Sequence, residues 1–152
     1  MIFQRLTRSD PERIFLVVQA NEALAIDDCA IWETASASID GVKVRAPDTG
    51  LLYAFVGVAD AAISANAYGL VQVYGYRSTS RVFQTNTSQD TGVALVPTAG
   101  AVYLQSVATT IQVSSTIATT VTLQPIIAVL GETVSNSAAS ATITAKVFIR
   151  AL

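Results

Sequence analysis

Hydrophobic and polar positions along this chain fall into short runs with a period of two, cut repeatedly by turn residues. Arg13-Ile14-Phe15-Leu16-Val17-Val18-Gln19 is rich in β-branched and aromatic residues and apolar on both faces, which predicts a well-buried strand. Asp27 to Glu33 is a second strand candidate. Asp40-Gly41 signals a turn, and Val42-Lys43-Val44-Arg45 then alternates apolar with basic residues. Pro47-Asp48-Thr49-Gly50 punctuates the chain again. Leu51 to Ala59 reads as the most apolar strand of the first half. The Ala-rich stretch Asp60 to Ala67 suits either one helical turn or an irregular crossover. Tyr68 to Tyr76 returns as a strand, with Val71, Val73 and Gly75 on one face and Gln72, Tyr74 and Tyr76 on the other.

Ser80 to Thr85 predicts another strand, and Asn86 to Asp90 a polar turn. Beyond Gly92 the texture becomes Thr, Val, Ile, Ala and Ser. Ala101 to Gln105, Ile111 to Val113, Val121 to Gln124 and Thr142 to Arg150 all favour strand, the last with Ile143, Ala145, Val147 and Ile149 on one face. Pro125 to Leu130 fits a strand end or a short buried turn, and Thr133 to Ser140 a polar loop. No segment sustains a helical period over ten positions. The reading is all-β: a single compact β-barrel or β-sandwich of about eight to ten short strands. An extended N-terminal arm, residues 1–12, precedes the β domain, residues 13–152.

Composition narrows the function. Of 152 residues 13% are charged, about half the usual share, and the net charge is −2. An acidic chain offers phosphates no electrostatic footprint, so nucleic acid is not an expected partner. Thr91 to Gly131 carries no charge, but Ser and Thr interrupt its apolar runs well short of a membrane-spanning helix. An outer-membrane barrel needs paired aromatic girdles, and the aromatics here lie mostly before residue 104. No membrane partner is expected.

Catalytic chemistry is scarce. Without histidine there is no Ser–His–Asp or Cys–His arrangement and no imidazole metal ligand. Cys29 is the one cysteine, set in an apolar run, and reads as a small buried hydrophobe in a protein made in a reducing cytoplasm. Asp27 and Asp28 are adjacent, so on a strand they would face opposite ways; they read as solvated turn acids. No phosphate-cradling glycine loop or calcium spacing occurs. The expectation is a protein that is not an enzyme and has no cofactor or metal.

Two features point towards assembly. The chain combines an apolar surplus with 13 Ser and 17 Thr. Few charges are left to guard its surface, as when much of that surface is covered in a permanent complex. The arm interleaves Ile2, Phe3 and Leu6 with Arg5, Arg8 and Arg13, the pattern of an anchor that orders on a partner. Asp10-Pro11-Glu12-Arg13-Ile14-Phe15, and the unit Gly57-Val58-Ala59-Asp60-Ala61-Ala62-Ile63 followed by Tyr68-Gly69-Leu70-Val71-Gln72-Val73-Tyr74-Gly75-Tyr76, resemble the capsid decoration (cement) proteins of tailed phages. The resemblance covers residues 10–85. It implies a β-barrel, often a homotrimer, on the outside of the capsid, bridging major capsid protein subunits and made in the host cytoplasm during assembly. The alternative is a receptor- or carbohydrate-binding β-domain of a tail or fibre, with Tyr53, Tyr74 and Tyr76 as its exposed aromatic cluster.

Overall fold

The computed structural model describes residues 12–34, 41–47, 52–84, 88–106, 126–135 and 140–151. Thirteen strands form among them: β1 (Arg13–Ala20), β2 (Cys29–Trp32), β3 (Lys43–Arg45), β4 (Phe55–Ala59), β5 (Tyr68–Arg77), β6 (Arg81–Gln84), β7 (Ser88–Gln89), β8 (Ala94–Pro97), β9 (Leu104–Ser106), β10 (Ala128–Leu130), β11 (Val134–Ser135), β12 (Ala141–Thr144) and β13 (Val147–Arg150). The all-β expectation holds, with more and shorter strands than the sequence pattern suggested. Leu52–Ala54, read as the start of a strand, is a 3-10 turn leading into β4. The Ala-rich crossover is irregular and is tied down by a bridge between Leu24 and Ile63. The predicted strands at Ile111 to Val113 and Val121 to Gln124 lie outside the described residues.

Eleven strands hydrogen-bond in the order β1-β3-β2-β4-β5-β13-β10-β8-β9-β6-β12, and β1 also pairs with β5. That extra pairing closes β1, β3, β2, β4 and β5 into a five-stranded barrel, whose interior holds Val18, Ala20, Leu24, Ala30, Val44, Val56, Ala59, Ile63, Val71 and Val73. The remaining strands wrap a second core of Cys29, Phe55, Val58, Val82, Leu95, Leu104, Leu130, Val147, Ile149 and their neighbours. β2 and β4 therefore stand between two apolar interiors. Cys29 faces one and Ala30 the other, and Val58 and Ala59 divide in the same way. This explains the continuous apolar run of β4, which a strand with one wet face would not have.

Two irregularities make the shared wall possible. On β4 the register shifts between Cys29–Val58 and Ile31–Phe55 pairing, so Val56 is the extra residue of a bulge. On β5 a second shift, at Val73, precedes Gly75, whose φ is +101°. Here one edge of β5 passes from β4, its partner at Val71 and Gln72, to β13, its partner from Tyr74 to Arg77. A side chain on Gly75 would collide with the Glu12 carbonyl oxygen, and one on Gly57 with the Gln72 carbonyl oxygen. Both glycines permit backbones to approach closely.

Candidate functional site: an apolar strand edge and a buried charge node

β1 departs from the well-buried strand that its sequence pattern predicts. Only Val18 and Ala20 are buried; Ile14, Phe15, Leu16 and Val17 are 41%, 37%, 38% and 61% exposed. The cause is topological. On one side β1 pairs with β5 from Arg13 to Gln19, but on the other it meets β3 only at Gln19 and Ala20. Arg13 to Val18 thus form an edge with no described strand beside it. Val17 lies opposite Leu70 on β5, itself 45% exposed, and Gln19 lies opposite the exposed Tyr68. An edge this long and apolar, without lysine guards, is a place where another chain can pair.

The residues that the sequence suggests for contact and for the aromatic cluster divide as follows. Ile2, Phe3, Arg5, Leu6 and Arg8 lie outside the described residues. Arg13 opens β1 and is exposed. Tyr53 sits in the 3-10 turn, and its side chain is likewise outside the description. Tyr74 and Tyr76 lie half-buried on β5, opposite Arg150 and Phe148 on β13. Tyr74 meets Phe148 edge-to-face with centroids 5.3 Å apart, a geometry that aromatic quadrupoles favour. Phe148, 37% exposed, was not singled out by its sequence position, although the alternation in β13 places it opposite the buried Val147 and Ile149.

Gln72 does not share the half-open environment of Tyr74 and Tyr76. It is fully buried, and its side-chain amide donates to the carbonyl oxygens of Tyr74 (3.3 Å) and Tyr76 (3.0 Å). These bonds hold the end of β5 where it changes partners. Arg77 closes that end. Its guanidinium is buried, Nη2 donating to Asp27 Oδ1 at 2.7 Å and to the Ala59 carbonyl oxygen at 2.8 Å. Nη1 donates to Asp60 Oδ1 at 2.9 Å, and Nε to Asp27 at 3.2 Å. Thr79 Oγ1 adds a donor to the same Asp27 oxygen.

Asp27 and Asp28 do sit in a turn, as read, but the solvated description is wrong. Asp28 is buried; Oδ1 accepts from Arg81 Nη1 at 2.8 Å and Oδ2 from the Ala25 backbone N–H at 2.8 Å. Burial raises its pKa above the ordinary value, while the Ala25 bond and the Arg81 charge pull the other way. Asp27 adopts φ +69°, so consecutive carboxylates turn to different arginines instead of acting together. Their donors and acceptors are spent on linking the β2 approach to the β4 and β5 ends. The node is a structural clasp between the two cores. Burial and the neighbouring Asp28 charge hold the Cys29 thiol well above its usual range, so it is unreactive.

Among the described residues, no cluster of three or more Cys, Asp or Glu side chains is arranged to hold a metal ion. No protein-family model matches the chain, and no curated protein matches it.

Proposed function

We propose that this chain is a non-enzymatic virion structural protein of a tailed phage, a decoration or cement protein that binds the outside of the head and bridges major capsid subunits. The observation that carries the reading is the exposed apolar edge of β1, in a chain with few charges to protect it. The resemblance over residues 10–85 and the absence of histidine support the same reading. A ligand that binds the assembled shell but not free subunits stabilises the shell by mass action. Several weak contacts from an oligomer, three in the family it resembles, multiply their effect. Phe3 is the anchor of the arm, flanked by Arg5, Arg8 and Arg13, with Ile2 and Leu6 adding apolar contact by strand addition.

Co-sedimentation with phage heads tests this. The intact chain is expected to pellet saturably with heads, and a chain lacking Met1 to Arg8 to fold but pellet weakly. Burying one Phe is worth roughly 1.5–3 kcal/mol, so Phe3→Ala alone should weaken attachment by about one to two decades. Wild-type occupancy by the truncated chain would remove the arm from the account.

A second reading, a carbohydrate-binding domain of a tail or fibre, draws on the Tyr74–Phe148 pair and Tyr76 on one face. A glycan array showing specific binding that Tyr76→Ala abolishes would favour it over the first.

A further inference from the structure

We propose that the edge of β1 beside which no described strand lies is a self-association site, pairing antiparallel with β1 of a second copy in a register centred on Leu16. The inference concerns the chain's contact with itself and stands whether or not the chain binds a capsid.

Hydrogen-bonding direction supplies the first argument. The Gln19 N–H donates to the Val42 carbonyl oxygen on the β3 side, whereas the Ala20 N–H donates to the Ala67 carbonyl oxygen on the β5 side. Backbone groups alternate along a strand, so Val17 and Phe15 aim their N–H and C=O groups at the same edge as Gln19, where no described strand receives them. Leu16 and Val18 turn theirs towards β5, opposite Val71 and Gly69.

The pleat supplies the second. Residues directly opposite in an antiparallel pair share a face, so a two-fold pairing must match Phe15 and Val17 with residues of their own set. Centring on Leu16 sets Phe15 against Val17 twice, giving two hydrogen-bonded pairs around a non-hydrogen-bonded Leu16–Leu16 contact. Every free edge group between Phe15 and Val17 is then satisfied. Ile14 falls opposite Val18, so apolar residues meet on both faces.

Charge fixes the direction. A parallel pairing would set Glu12 beside Glu12 and Arg13 beside Arg13, whereas the antiparallel one separates like charges to opposite ends of the Ile14–Val18 stretch, short of Gln19, where β3 begins. A second copy also needs no acidic or basic complement, which suits an edge carrying neither sign between Ile14 and Val18. The contact joins copies in twos, as free dimers or between the trimers that the resemblance implies.

The test is a pair of cysteine substitutions in the full-length chain. Opposed residues of a non-hydrogen-bonded antiparallel pair have Cα atoms about 4.5 Å apart, within disulfide reach. Leu16→Cys is therefore expected to form a covalent two-chain product under mild oxidation. Val17→Cys, at the more exposed position but opposite Phe15 of the second copy, is expected to stay single-chain. The wild type controls for the buried Cys29. Light scattering should show copies associating in twos, and Leu16→Lys, which opposes two lysines at the centre, should raise the dissociation constant by about tenfold or more. A monomeric wild type would overturn the proposal, as would equal cross-linking of the two variants. So would an associated Leu16→Cys protein that does not cross-link.

Discussion

At the scale of single residues, a few backbone and charge positions hold the fold in its shape. Gly75 combines φ +101° with a contact that leaves no room for a Cβ, so Gly75→Ala meets both strain and collision. The expected loss is about 2 kcal/mol or more, read as a fall in the urea midpoint. Arg77 pairs with Asp27 out of reach of most water and with the more exposed Asp60, and Arg77→Ala leaves the Asp27 charge without its partner. Breaking such a pair costs about 3 kcal/mol, again measured by denaturant unfolding. Two carboxylates act on stability with opposite sign. Burial raises the Asp28 pKa, so the native state holds that proton to higher pH and the contribution of Asp28 to stability falls as pH rises above about 3.8. Hydrogen bonds from Lys146, backbone and side chain, lower the Glu132 pKa, so its contribution is present above 4.5 and is lost on acidification. Unfolding measured across pH 3 to about 6 should show Asp28→Asn with a less negative slope than the wild type, and Glu132→Gln with a less positive one. Slopes shifted the other way would refute the assignments.

At the scale of elements, the sequence was legible where one face of a strand met one environment. Tyr68–Arg77, Arg81–Gln84 and the apolar Phe55–Ala59 emerge close to where their patterns set them. The errors have physical causes. Thr142 to Arg150 keeps a single apolar face, so nothing in its pattern signals the break at Ala145 and Lys146. That break exists because the Ala145 N–H donates to the Ser80 carbonyl oxygen and the Lys146 N–H to Glu132 Oε1, turning β12 towards β6 and β13 towards β5 and β10. β1 departs from its pattern because two apolar faces describe equally a central strand and an exposed edge strand. Periodicity reports faces; it does not report edges. The Asp27–Arg77 clasp was hidden for a similar reason, since its partners are 50 residues apart. The useful signal was scarcity: in a chain with only nine basic residues, an arginine ending an apolar strand calls for a structural partner.

At the scale of the molecule, two cores share a wall, and this sets how the fold fails. Cys29 and Val58 belong to one interior, their chain neighbours Ala30 and Ala59 to the other, so neither core can open without exposing the other's strands. Val71→Ala in the barrel and Leu104→Ala in the second core should therefore shift one common transition. The Leu104 change costs about 2–5 kcal/mol and the Val71 change less. Two separable transitions would contradict the shared wall. The claim that most depends on the whole particle is reinforcement of a shell, and thermal disruption of phage heads measures it directly. On the proposed reading, phage heads lacking this protein should, once loaded with it, break open at a higher temperature than unloaded heads, by an amount that saturates with added protein. An unchanged disruption temperature at full occupancy would contradict the account.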